Sequence, residues 1–249
     1  MSTQSSRNGP AAHPRFSRTR WSRVLDIHQP EQELAQRSLF ELSQRFWYPV
    51  YAYARRSGHA PEVANELCLA FFGQLPLTVQ RVDPRGQGRF RDFLLDRLHC
   101  FLTEDWRKYA EDARLQDLSA PETLEQLEQR LAQDHHASSS PEQAFHRSFA
   151  LEVLARSLRR LQAEAQQSGR EDLFRALQPF LTREPVAGQY QELSRALGSP
   201  PLALVIAVKR LRQRFRELAD DELMETVASP ADLESERAAL LGLLADGAA

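Results

Sequence analysis

A chain of 249 residues that is 42% hydrophobic, with a formal net charge of −2, has enough apolar material for one large or two small cores. Only Cys68 and Cys100 occur, both within apolar helical patterns, which excludes a disulfide framework and a cysteine-rich zinc site. No apolar run approaches the roughly 18 to 20 residues of a membrane span, and no apolar signal-peptide core follows the basic N-terminus, so a cytoplasmic protein without a membrane span is expected.

Strand signals are nearly absent: β-branched alternation never persists, and Leu, Ala, Glu, Gln and Arg dominate. The expected class is all-α, with two small helical domains joined by an acidic linker and a helix-turn-helix in the C-terminal one. Residues 1–14 are expected to be disordered. In the first domain, 15–115, a helix starts near Thr19, whose hydroxyl can cap the segment with Trp21, Val24, Leu25 and Ile27. Leu34, Leu39, Leu42 and Phe46 continue a helical pattern into FWYPVYAYARR, where Pro49 should kink or restart the helix because it lacks a donor. The aromatics Phe46, Trp47, Tyr48, Tyr51 and Tyr53 suit a core better than a ligand cage. Pro61 suits a first helical turn, with Val63, Leu67, Ala70, Phe71 and Leu75 as the apolar face. A loop from Pro76 to Gly88 and a long helix from Arg89 follow.

Residues 111–142 hold eight acids against two arginines, with weak apolar periodicity, which places a linker at 116–140 that tolerates a transient helix across Leu124–Leu131. The second domain, 141–219, draws its packing stripe from Phe145, Phe149, Val153, Leu154, Leu158 and Leu161, and its next helix holds Leu173, Phe174, Leu177 and Phe180. A short helix then ends at Gly198. A longer one follows, in which Leu204, Val208, Leu211, Phe215 and Leu218 form one stripe while Lys209, Arg210, Arg212, Arg214 and Arg216 fan over the rest. That pattern is a helix-turn-helix signal. The extension 220–249 carries eight acids against Arg237 and should restrain the basic helix electrostatically. Ser229, Pro230 and Asp232 start its final helix.

No catalytic constellation is found: there is no phosphate-cradling glycine loop, no nucleophile elbow and no HExxH helix. Asp134, His135 and His136 lie where nothing would fix metal geometry. DPRGQGRFR at 83–91 suits contact with a nucleic-acid backbone at a helix N-terminus. Neither enzymatic activity nor a cofactor or metal is expected.

The segments RFWYPVYAYARRSGHAPEVANELCLAFFGQL, DPRGQGRFRDFLLDRLHCFLTEDWRK, LFRALQPFLT, YQELSRALG and AVKRLRQRFREL, in this order and spacing, resemble a bacterial RNA polymerase sigma factor of the extracytoplasmic-function type, in a longer sigma-like subgroup. The resemblance covers most of residues 20–240. It implies a transcription initiation factor that binds core RNA polymerase and promoter DNA. A regulatory partner such as an anti-sigma protein is compatible with it. By resemblance, Glu62, Glu66, Leu67, Phe71 and Phe72 would dock on the polymerase clamp. Arg89, Arg91, Arg97, Arg107 and Lys108 would neutralise phosphates near the minus-ten element, with Trp106 or Tyr109 stacking on an unpaired base. Lys209, Arg210, Arg212 and Arg214 would contact phosphates or bases at the minus-thirty-five element. Two motifs depart from the family. The docking motif has Val63, Asn65, Cys68 and Leu69 where polar groups are expected, and the recognition helix opens on Pro200, Pro201, Leu202 and Val205, which offer no bidentate hydrogen bonds to bases. A degenerate sigma relative that regulates through protein contacts alone is the alternative. An independent helix-turn-helix repressor would leave residues 20–110 unexplained.

Overall fold

The computed structural model describes residues 32–79, 89–103, 106–109, 118–133, 140–227 and 229–245, which form nine α-helices and no strand. The N-terminal segment with Thr19, the loop 80–88 and the Asp134–His136 cluster lie outside the described residues.

Helix α1 (Gln32–Arg56) is the axis of the larger core. Every residue from Arg45 to Ala54 is buried, as a helix apolar on all sides must be. It runs on through Pro49 instead of restarting there, because the aromatics on either side of the proline are packed in place: Trp47 stacks on Phe72 at 5.6 Å and Phe46 on Phe149 at 5.1 Å. Arg55 and Arg56 complement the C-terminal dipole. Helix α2 (Pro61–Val79) starts on a proline and continues through Pro76, so the expected loop begins later than its first proline suggested. Helix α3 (Phe90–Thr103) is shorter than its pattern implied, and Trp106–Tyr109 forms a separate 3-10 turn.

Helix α4 (Leu124–Gln133) lies in the stretch expected to be a linker, and it is docked. Thr123 and Gln126 cap it reciprocally, at 2.8 and 3.3 Å. Leu127 is fully buried, Glu128 accepts from Tyr51 and Arg55, and the Arg130 guanidinium sits 3.8 Å from the Tyr48 ring centre while pairing with Glu122 and Glu152.

Helix α5 (Pro141–Gln167) opens on a full Ser140–Gln143 capping box and spans about 40 Å. Its first half puts Phe145, Phe149, Ala150 and Val153 into the larger core with α1 to α3. Leu161, in its second half, belongs to a smaller cluster with Phe174 and Leu218. The two clusters thus meet along α5. Helix α6 (Glu171–Leu177) and a 3-10 turn, Gln178–Leu181, complete the floor of the smaller unit. Helix α7 (Gln189–Leu197) ends at Gly198, whose φ of +63° is a left-handed cap that suits glycine. Helix α8 (Pro201–Met224) then runs uninterrupted past residue 219. Helix α9 (Pro230–Ala245) starts at Ser229, whose hydroxyl donates to Asp232 and accepts from its backbone amide, and it returns Leu240 to the larger core.

Candidate nucleic-acid interface

The inner face of α8 is fixed by Leu204, Val208 and Leu218, all buried, with Leu211 and Phe215 half-buried beside them. Helical periodicity then forces Leu202, Val205, Ile206, Lys209, Arg210, Gln213 and Arg216 outward on the opposite face, where all are exposed. Val208 also packs with Leu177 and Phe180, so the helix cannot rotate without opening the small core.

The basic residues of α8 fall into two groups. Arg212 is a staple: its Nε donates to the Phe180 carbonyl at 2.7 Å, one terminal nitrogen to the Arg183 carbonyl at 2.8 Å, and the other pairs with Glu184 at 2.5 Å. Arg214 grips Glu164 with two nitrogens, at 2.9 and 2.7 Å, and Glu217 with a third. The Glu164 carboxylate raises the Arg214 pKa further, and Arg214 in turn holds Glu164 below the usual carboxylate range. Of the residues expected at DNA, Arg212 and Arg214 are thus engaged by partners within the protein. Lys209 and Arg210 remain outward and exposed, and Arg216, also exposed, donates to Gln213 at 3.2 Å.

At the larger core the expected contacts are mostly drawn inward. Arg91 is buried and binds Glu236 through two nitrogens, at 2.5 and 3.1 Å, while Arg89 meets the same carboxylate at 3.0 Å and donates to Ser235 at 2.6 Å. The remaining arm of Arg91 reaches His146 Nδ1 at 2.5 Å. Burial, reinforced by that guanidinium, pushes the His146 pKa down to about 4, so the ring is neutral and Nδ1 accepts. Arg97 lies over the Phe93 ring at 5.8 Å. Trp106 is buried and cannot receive a base; instead it carries the exposed Arg107 at 4.9 Å, beside the exposed Lys108 over Tyr109 at 4.7 Å. Tyr109, half-buried, stacks against Phe101. Of the expected minus-ten contacts, Arg107 and Lys108 alone form an exposed basic corner.

The expected polymerase-docking set is also split. Glu62 and Glu66 are exposed on α2, whereas Leu67, Phe71 and Phe72 are core residues, which corrects their placement on a docking surface. The departures in this motif have structural reasons. Asn65 accepts from the Trp47 indole at 3.1 Å, and Cys68 is fully buried, with burial pushing its thiol pKa well up.

Glu222, Glu225 and Glu236 of the acidic extension pair away from the basic stripe. Glu222 is buried between Arg45 at 2.8 Å, Arg156 at 3.0 Å and Arg160 at 2.9 Å, and Glu225 also meets Arg45. Burial works against the Glu222 charge, but Arg45 and Arg156 outweigh it and hold its pKa below the ordinary range. Ile206 and Arg216 complete the outward stripe without having been singled out as contacts; their spacing, four residues from Leu202 and seven from Lys209, was the available signal. Among the described residues no group of acids, histidines and cysteines could hold a metal, and no helix is long and apolar enough to cross a membrane.

No family model, curated protein or solved structure matches this chain.

Proposed function

We propose that the protein is a sigma-like transcription initiation factor that binds core RNA polymerase and holds promoter DNA, with α7 and α8 acting as a helix-turn-helix. One observation carries this: after a left-handed glycine turn, α8 is pinned by a buried stripe and presents Lys209, Arg210 and Arg216 outward at helical spacing. The first helical turn contains no acid and has no side-chain cap, so its amides and dipole leave positive potential at the end that would enter a groove. Arg107 and Lys108, both exposed, would add a second basic contact. The order of segments resembling an extracytoplasmic-function sigma factor supplies the polymerase partner.

The test is duplex DNA binding across a salt series. Lys209→Ala with Arg210→Ala should weaken binding and lower the slope of log affinity against log salt by about two. An unchanged slope would remove α8 from the interface. Co-elution with core polymerase in gel filtration tests the other half. A second reading, a regulator that works through protein contacts alone, is favoured by one feature: the leading turn of α8 exposes Leu202, Val205 and Ile206. It predicts retained polymerase co-elution with no DNA binding.

A further inference from the structure

Leu202 is 71% exposed, Val205 42% and Ile206 45%, three large aliphatic side chains on the first two turns of one helix. Such a cluster costs solubility and lies outside the small core, to which Val208 on the other face belongs, with Leu204 buried one turn before it. Its neighbours along the same outward face are basic. The steps from Leu202 to Ile206, Lys209, Gln213 and Arg216 are four, three, four and three residues, so apolar and cationic groups share one stripe about 21 Å long. Acidic side chains are missing from the first turn. Positive charge directly continuous with an aliphatic tip fits an anionic polymer that also carries small apolar groups in a groove.

Duplex DNA has one such group: the C5 methyl of thymine, which projects into the major groove and marks T·A pairs there. We infer that Leu202, Val205 and Ile206 read thymine methyls by apolar contact, so that this helix selects T-bearing steps without hydrogen bonds to base edges, while Lys209, Arg210 and Arg216 hold the flanking phosphates. The assignment rests on the nucleic-acid function proposed above and adds its specificity. It also accounts for the departure at the start of the recognition helix: aliphatic groups there replace bidentate readout with shape and methyl burial. A branched aliphatic tip touches a methyl over tens of Å², and hiding one methyl corresponds to about a fourfold gain in affinity.

Deleting the methyl from the DNA while keeping every hydrogen-bonding group is the direct experiment. Fluorescence anisotropy compares the full chain on alternating adenine–thymine and adenine–uracil duplexes of equal length, with the salt held constant. The expected result is tighter binding to the thymine duplex, about fourfold for each methyl covered and so about sixteenfold where two are covered. Leu202→Ala with Ile206→Ala should collapse that ratio towards one. Both sites are exposed, and an unchanged circular-dichroism melt would confirm the fold. Lys209→Ala with Arg210→Ala should weaken both duplexes equally and leave the ratio intact. Binding of both duplexes within about twofold of each other overturns methyl readout and leaves the DNA function standing. Absence of binding to any duplex overturns both. If, in addition, Ile206→Asp abolishes co-elution with core polymerase, the aliphatic tip belongs to a protein contact.

Discussion

At the scale of single residues, the larger core contains charges that a hydrophobic reading of the sequence would place outside. Arg91 and Glu236 are 4% and 1% exposed, and burying two ions is sustainable only when each satisfies the other. His146 completes the set as a neutral acceptor for the third arm of Arg91. This gives a pH dependence with a definite sign. The ring's pKa is about 4 in the folded protein against about 6.5 in an unfolded chain, so between these values the unfolded state binds more protons. His146 therefore favours the folded state fully above about pH 6.5, and that contribution is lost as pH falls towards 4. The facing groups are Arg89, Arg91, Asp92 and Glu142, of which the two arginines reinforce the depression. Glu222, held below the ordinary carboxylate range, adds a loss at lower pH. Urea denaturation of His146→Gln should show a flatter fall in stability from pH 6.5 to 4 than the parent chain. A parallel fall would assign the acid sensitivity elsewhere.

At the scale of elements, α4 shows where patterning fails and why. Its stretch is acidic and weakly periodic, so composition points to a solvated linker. Yet Thr123 and Gln126 form a cap, Leu127 is fully buried, and Glu128 and Arg130 are consumed by Tyr51, Arg55, Tyr48 and Glu152. The charges are docking groups, visible as such only once α1 is in place. Leu127→Ala should cost about 2 to 5 kcal/mol in chemical denaturation, the range for truncating a buried leucine, whereas a true linker would tolerate it with no measurable change. The opposite error occurs on α2. Leu67, Phe71 and Phe72 follow a docking pattern in sequence, but all three are buried in the larger core, and the residues that α2 turns outward are Glu62, Glu66 and Leu77. The stripe of α8 was legible because one face packs against a small unit and the other is free, the condition under which helical periodicity alone separates inside from outside. Which arginines stay free was not legible: Arg212 and Arg214 are taken by Phe180, Arg183, Glu184 and Glu164, partners 28 to 50 residues away.

At the scale of the whole molecule, α5 and α8 each enter both cores, and Glu222 on α8 ties α1 to α5 through Arg45, Arg156 and Arg160. The C-terminal extension is part of this frame. Opposite charges close in sequence suggested that its acids would restrain the basic stripe of α8, but folding sends Glu222, Glu225 and Glu236 to Arg45, Arg89 and Arg91, while Lys209 and Arg210 stay outside. The two roles predict different outcomes for a chain ending at residue 228. An electrostatic restraint would, on removal, raise nonspecific DNA affinity at low salt with little effect on folding. A structural brace takes Leu240 out of the core and leaves Arg91 buried without its carboxylate, changes of which each costs about 2 to 5 kcal/mol alone. The truncated chain should therefore melt at a clearly lower temperature by circular dichroism, while the salt slope of DNA binding at temperatures where it remains folded matches that of the full chain. A truncation that binds DNA several-fold tighter with its melting temperature intact would return the extension to the role of a charge screen.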